Sequence, residues 1–194
     1  PKVPEYLESA MSRIKKRGHF IVRPFRLNKF NEEIDVIWHI YNESWVDNWG
    51  FLPMSKEEFE YSVNEMRCFF QPEYCFIAEI NGEPAGFSLT LPDINVILKK
   101  MNGRTFPFGW ARFFWNKNKI KLYRVVALGV KKQYRRLGVD VAFYYETYKK
   151  FVEKKIQWCD MSWVLEDNKN VLSPISRLGG VIYKRHRIYE RDII

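Results

Sequence analysis

One stretch in the second half of the chain constrains the fold more than any other. An apolar, strand-like segment, Leu122–Val130, runs through a basic turn into a segment with helical periodicity that begins near Val141. A strand that enters a helix through such a turn places free backbone N–H groups and a helix N-terminus around an anion. Arg135 and Arg136 add positive charge, and Gly138 allows a ligand to approach the backbone closely. The stretch predicts a site for a phosphate-bearing ligand; the alternative is a solvated basic turn.

Apolar periodicity and turn signals predict alternating strands and helices along the rest of the chain. The predicted strands are residues 19–22, 74–80, 84–91, 122–130, 157–165 and 181–189. The predicted helices are residues 4–17, 34–45, a segment opened by a Ser55/Glu58 capping box, 94–100, 141–152 and 168–178. Asn81-Gly82 predicts a tight hairpin turn between the second and third strands. This order indicates an α/β fold around one mixed sheet.

The composition is that of an ordinary globular chain, with 46% apolar and 28% charged residues in 194. We expect an N-terminal helix or linker at 1–18, possibly following an upstream region because the chain begins at Pro1, and one domain at 19–194. That domain carries an aromatic insert at about 93–118. The chain contains no signal-peptide pattern and no apolar run of about 18 residues. We therefore expect a cytoplasmic protein without a membrane span.

The net charge and the positions of the cysteines and histidines indicate which classes of ligand the chain can bind. The formal net charge of +9 suits a polyanionic ligand, and equally nucleic acid or anionic lipid. The three cysteines and three histidines are scattered, and no metal-ligand spacing occurs among them. We expect no metal.

The basic turn resembles the acyl-CoA binding loop of the GCN5-related N-acetyltransferases. That loop reads Arg/Gln-x-x-Gly-x-Gly/Ala between the fourth strand and the following helix, and its amides hold the pyrophosphate of CoA. Arg135 and Gly138 match the motif, whereas Asp140 replaces its small third residue. A carboxylate in the first helical turn favours the helix dipole but competes with a phosphate unless it turns away.

The C-terminal part resembles the second CoA motif of the same family. Asn168 begins a short predicted helix and Gly179 follows at the family's spacing. In the family this asparagine contacts the pantetheine or the loop around it; the alternative role is a helix cap. Many members carry a tyrosine as general acid where this chain has Ile175.

The resemblance, which extends from about Gly18 to the C-terminus, implies a mixed and mostly antiparallel sheet whose fourth and fifth strands splay apart around the acyl-pantetheine. The residues that it assigns to cofactor binding are Leu128, Val130, Arg135, Arg136, Leu137, Gly138, Val139, Asp140 and Asn168. Glu166 is the candidate base, and Tyr123 a weaker candidate acid or base. Trp45, Asn48 and Trp49, in a loop between the first two helices of the domain, are the candidate acceptor contacts. Each has a structural alternative: Glu166 at a helix dipole, Tyr123 and the tryptophans as packing residues.

The resemblance implies an N-acyltransferase, in first place an N-acetyltransferase that moves the acyl group of acetyl-CoA to a primary amine of a small molecule. The amine attacks the thioester directly and forms a tetrahedral intermediate. A second hypothesis keeps the fold but uses a long-chain acyl-CoA or an acyl carrier protein as donor, which the aromatic insert and the positive charge favour. A third is a non-catalytic acyl-CoA binder. A nucleic-acid-binding module is the fourth, disfavoured because no recognised motif accompanies the basic residues. The oligomeric state and the acceptor stay open.

Overall fold

The computed structural model describes residues 2–16, 20–100, 115, 119–161 and 163–191. These fall into two compact units, Pro1–Trp163 and Val164–Ile194. Most of the predicted aromatic insert lies outside the described residues, which include its first part, 93–100, and Trp115.

The first unit contains a five-stranded sheet of order β1-β2-β3-β4-β5. The strands are β1 (Phe20–Pro24), β2 (Cys75–Ile80), β3 (Glu83–Pro92), β4 (Leu122–Val130) and β5 (Trp158–Asp160). The first three pairings are antiparallel and β4 pairs with β5 in parallel. The α-helices of this unit are α1 (Glu5–Lys16), α2 (Phe30–Trp45), α3 (Lys56–Met66), α4 (Asn95–Lys100) and α5 (Val139–Lys154). The predicted mixed, mostly antiparallel sheet flanked by helices is confirmed.

The sheet is covered by different helices on its two faces. On one face α2 buries Ile37 and Ile40 against Ile77 and Phe87. On the other face the N-terminal turns of α5 pack against β2 through residues that include Val139. Helix α1 packs in turn against α5, with its apolar stripe buried. Burial of these stripes removes apolar surface from water and fixes both helices that flank β4.

A buried carboxylate ties β1 to α2. Glu33 is inaccessible to solvent and accepts hydrogen bonds from Arg23 (2.6 Å) and Arg26 (2.6 and 2.9 Å). Arg23 also donates to Glu79 on β2 at 2.6 Å. Burial alone would raise the pKa of Glu33, but the hydrogen bonds from Arg23 and Arg26 lower it overall.

Two local sequence signals are confirmed. The side chain of Ser55 accepts from the backbone N–H of Glu58, whose carboxylate accepts from the backbone N–H of Ser55, so the capping box opens α3. Asn81 and Gly82 both have positive φ (54° and 84°), as a type I′ hairpin turn requires.

Two strand predictions differ from the structure. The fifth strand covers only Trp158–Asp160 of the predicted 157–165. In the second unit, the predicted last strand at 181–189 is wrong, because these residues form no strand and are exposed. The run from Lys184 to Arg187 places charge on both faces of any strand, so no apolar face is left to pack. The only regular element among the described residues of this unit is α6 (Lys169–Arg177).

Candidate functional site

Strands β4 and β5 are paired over only part of the length of β4. Their register ends at Arg124 opposite Asp160, where the guanidinium holds the carboxylate at 2.9 and 3.1 Å. From Val125 to Val130, no described strand pairs with this edge of β4. An unpaired edge presents backbone donors and acceptors to a ligand. This edge of β4 is where the opening between the fourth and fifth strands is expected; the splay itself stays a prediction.

A bulge lies at the start of this unpaired edge. Leu89 pairs with Ala127 whereas Thr90 pairs with Val125, so Val126 has no partner in β3. The side chain of Val126 is 43% exposed. A bulge bends its strand and increases the local twist.

The turn after β4 leads into α5 with two left-handed residues. Lys131 still donates its backbone N–H to the carbonyl of Ala85 (2.9 Å), and the chain then turns through Arg136 (φ 68°) and Gly138 (φ 87°). A Cβ atom on Gly138 would lie 2.7 Å from Cδ1 of Ile14 in α1. Both the backbone angle and the close approach of α1 therefore require glycine at this position.

Helix α5 begins directly after this turn without a side-chain cap. Gly138 is its N-cap residue, and no side chain caps the helix. The N–H groups of a first helical turn, here those of residues such as Val139 and Asp140, have no acceptor within the helix. Leu128 and Val130 pack beside this turn against the α5 face of the sheet. Leu137 is 39% exposed. The structure thus brings the predicted cofactor residues of the first unit together along one strand, turn and helix.

The cationic side chains of the basic turn have different bonding partners. Arg135 donates to the main-chain carbonyl of Ser44 at 2.8 Å and lies 4.0 Å from the carboxylate of Asp47. Lys132 forms an ion pair with Asp47 at 2.9 Å. Among the described residues, none forms a hydrogen bond or ion pair with the exposed side chain of Arg136. Arg135 therefore holds the turn against α2, whereas the side chain of Arg136 is not held in this way by any residue that the structure describes.

Tyr123 lies before the bulge, in an aromatic cluster. Its hydroxyl donates to the side-chain carbonyl of Gln71 at 2.9 Å, and its ring lies 4.8 Å from that of Tyr74 and 5.5 Å from that of Phe151. Burial raises the pKa of the Tyr123 hydroxyl above its usual value. The group is thus neutral at physiological pH and already bonded, which favours a packing role; its role as an acid or base stays a prediction.

A cysteine lies opposite Tyr123 on β5. Burial raises the pKa of the Cys159 thiol to about 12. Because the thiolate is the nucleophilic form, this side chain is inert at neutral pH.

The predicted acceptor residues do not all lie in a loop: Trp45 is the last residue of α2, and Asn48 and Trp49 lie in the loop that follows. Trp45 packs on Tyr41 (4.8 Å between ring centroids) and over Gly129, where a Cβ atom would lie 2.5 Å from the indole. Asn48 donates its backbone N–H to the carbonyl of Trp45 at 2.8 Å. Trp49 is 76% exposed. Trp45 therefore packs within the protein. Of the two tryptophans predicted to contact the acceptor, Trp49 is the one whose side chain is exposed to solvent.

The second unit contains the remaining two predicted residues. The carboxylate of Glu166 lies 2.9 Å from Arg185 and 3.7 Å from Arg187, all with exposed side chains. Asn168 precedes α6 as its N-cap residue, but its side chain makes no capping hydrogen bond. A helix cap, the structural alternative for Asn168, is therefore not formed.

Two further properties concern the described residues only. They contain no group of three or more His, Cys, Asp or Glu side chains that could ligate a metal ion. None of their helices is both long enough and apolar enough to cross a membrane.

No family model matches the sequence, but curated relatives do. Protein YghO of Escherichia coli (strain K12) is 33% identical over 193 residues, which cover 96% of this chain and 49% of the relative. The bacterial ceramide synthase of Caulobacter vibrioides is 29% identical over 197 residues, which cover 98% of this chain and 51% of the relative. The chain thus spans about half the length of the curated relatives it matches.

Solved structures match the fold. AAC(6')-Iy, in complex with the bisubstrate analogue CoA-S-monomethyl-acetylneamine, has a TM-score of 0.58 at 13% identity, covering 91% of this chain and 100% of that one. A GCN5-related N-acetyltransferase from Sphaerobacter thermophilus has a TM-score of 0.56 at 15% identity, covering 84% of this chain and 41% of that one. The chain therefore has the fold of the GCN5-related N-acetyltransferase superfamily, the resemblance that its loop motif and element order predicted.

Proposed function

We propose that this chain binds an acyl-CoA through the turn between β4 and α5 and transfers its acyl group to a primary amine. The observation that carries the proposal is the uncapped N-terminus of α5, which follows Gly138 and comes two residues after Arg136, a cation that no described residue engages. Helix N-terminal amides and a guanidinium are groups that bind phosphate oxygens. The pyrophosphate of CoA is the anion that this fold leads us to place there.

The unpaired edge of β4 supplies the second half of the proposed cofactor site. Pantetheine contains two amides, which can pair with strand backbone as an added strand does. The stretch from Val125 to Val130 leads to the proposed pyrophosphate site, so a CoA along it has its thioester beside the bulge at Val126. A backbone N–H there is the proposed donor to the oxyanion of the tetrahedral intermediate.

The proposed reaction is direct attack by the amine on the thioester carbonyl, with release of the CoA thiol. A covalent acyl-enzyme is disfavoured because the Cys159 thiol, on the strand beside the opening, keeps its proton at neutral pH. The amine must lose a proton before or during attack, since a primary amine is mostly protonated at neutral pH. Glu166 is the proposed base; its support is the family resemblance alone.

A longer acyl donor and a lipid-like acceptor form the second candidate function. A ceramide is an amide between a long-chain amino alcohol and a fatty acyl group, and one curated relative is named a ceramide synthase. The exposed apolar side chains of Trp49 and Leu52, on the loop that this fold uses for acceptors, also suit an apolar substrate. We therefore extend the proposal from acetyl-CoA to long-chain acyl donors, on CoA or on a carrier protein.

Mass spectrometry of the products tests both candidates in one experiment. The chain is incubated with acetyl-CoA or palmitoyl-CoA and with either a short amine or a long-chain amino alcohol. Amide formation with loss of the thioester would support acyl transfer, and the preferred donor and acceptor would choose between the candidates. If CoA binds but no amide forms with any pair, the chain is a binder and the catalytic proposal is wrong.

A further inference from the structure

We propose that the loop between α2 and α3, residues 46–54, forms with the neighbouring basic turn, residues 131–136, a docking surface for an anionic lipid bilayer. This inference goes beyond the proposed function, which assigns some of the same residues, Arg136, Trp49 and Leu52, to ligands, and it can hold whether or not acyl transfer occurs. It concerns where the protein is held, whereas acyl transfer concerns what happens in the opening between β4 and β5.

The loop presents three apolar side chains to solvent. Val46 is 53% exposed, Trp49 is 76% exposed and Leu52 is 82% exposed. Transfer of such side chains from water to the acyl boundary of a membrane is favourable, and tryptophan prefers the headgroup region of a bilayer. We call these three residues of one short loop the apolar patch; a single exposed apolar residue is ordinary on a protein surface, whereas several close together in sequence are less so.

The loop that carries this patch is braced from within. The ring of Phe51 packs on that of Tyr41, with centroids 5.5 Å apart. The carbonyl of Met54 accepts from the indole N–H of Trp38 at 2.8 Å, and its backbone N–H donates to Asn42 at 2.9 Å. These contacts fix the loop at its C-terminal end.

Positive charge adjoins the patch. Asp47, between two of the apolar residues, lies 2.9 Å from Lys132 and 4.0 Å from Arg135, so the loop and the basic turn form one surface. The cations of the basic turn are Lys131, Lys132, Arg135 and Arg136, and the carboxylates facing them are Glu43 and Asp47. The cations outnumber the carboxylates, and the whole chain has a formal charge of +9. Exposed cations near the surface of an anionic membrane each favour binding.

Exposed apolar side chains beside cations favour a lipid bilayer over an acidic protein as the partner of this surface. Protruding tryptophan and leucine side chains beside cations can enter a fluid headgroup layer, which adapts to their shape. A folded partner would need a surface that matches them. An acidic carrier protein is the competing occupant and is included in the test.

Sedimentation of the full chain with vesicles tests the proposal. We expect the protein to partition onto vesicles that contain phosphatidylglycerol and far less onto phosphatidylcholine alone. The double variant Trp49→Ser/Leu52→Ser should lose partitioning by at least about tenfold, and Lys132→Gln by a smaller factor that disappears at high salt. Ile21→Ser is the matched control, because Ile21 is 58% exposed but lies on β1, at the other edge of the sheet.

Three outcomes would overturn the proposal: no partitioning of the parent onto anionic vesicles, equal partitioning of parent and double variant, or equal losses in the double variant and Ile21→Ser. Capture by an acidic acyl carrier protein without vesicle binding would replace the bilayer with a protein partner. Thermal denaturation of each variant shows that it is folded. CoA titration without vesicles is recorded separately, so failure of vesicle binding is distinguishable from failure of the proposed function.

Discussion

Arg135 donates a 2.8 Å hydrogen bond to the main-chain carbonyl of Ser44, at the last turn of α2. Ser44 is buried, and the carbonyl end of a helix favours a cation. This bond joins the basic turn, which we propose as the phosphate site, to α2. The loop that contains Trp49 follows directly after this helix. The position of the turn therefore depends on α2 as well as on β4.

Replacing Arg135 should cost stability. Arg135→Ala removes a charged hydrogen bond to a buried carbonyl, so we expect the free energy of unfolding to fall by about 2 kcal/mol. Urea denaturation measures it. Arg136→Ala is the matched control, since Arg136 is exposed and engaged by no described residue; its effect should stay within about 0.5 kcal/mol. Equal losses in the two variants would contradict the anchoring role of Arg135.

Replacing Arg136 with glycine should make the folded protein more stable and weaken its binding of CoA. Its φ of 68° is unfavourable for a residue with a side chain, so Arg136→Gly should raise the free energy of unfolding by about 1 kcal/mol. The same variant loses the cation and should bind CoA about fivefold more weakly. Arg136→Asn is the control, because asparagine tolerates positive φ and lacks the charge. Unchanged CoA affinity in both variants would remove Arg136 from the site.

Asp47 should compete with the phosphate of CoA. Its carboxylate pairs with Lys132 at 2.9 Å and lies 4.0 Å from Arg135. Asp47→Asn frees positive charge beside the proposed site, so CoA affinity should rise by about two- to threefold at low salt and less at high salt. Asp35→Asn, which breaks the ion pair with Lys56 on α3, is the control. A larger effect of the control would refute a local electrostatic origin.

Protonation of Glu33 in acidic solution should lower the free energy of unfolding. Its pKa in the folded protein is lowered from the ordinary value of 4.5, burial being outweighed by Arg23 and Arg26. The stabilisation is therefore present above about pH 4.5 and is lost as the pH falls through the lower folded pKa. Glu33→Gln should lose about 3 kcal/mol at pH 7, because Arg26 loses its carboxylate partner and Arg23 is left with Glu79 alone among the described residues. Thermal denaturation across this pH range should show the difference between parent and variant narrowing at low pH; a constant difference would contradict the assignment.

Structural features that depend on residues close together in the chain were predictable from the sequence. The capping box at Ser55 and the turn at Asn81 are set by neighbours along the chain, and both are confirmed. The strand, turn and helix around Gly138 were predicted for the same reason.

Contacts between distant segments were not predictable from one sequence. The bond from Arg135 to Ser44 and the ion pair of Lys132 with Asp47 join residues far apart in the chain, so no local pattern indicates them. The bulge at Val126 exists only relative to the register of β3. The predicted strand at 181–189 failed because strand propensity alone does not supply an apolar face for packing.

Calorimetric titration with CoA tests the central claim most directly, with pantetheine as the ligand that lacks the pyrophosphate. We expect saturable one-site binding of acetyl-CoA and desulfo-CoA that weakens with salt and in Arg136→Gly, and much weaker binding of pantetheine. If the folded protein binds pantetheine as tightly as CoA, or binds neither, the turn between β4 and α5 is not a pyrophosphate site.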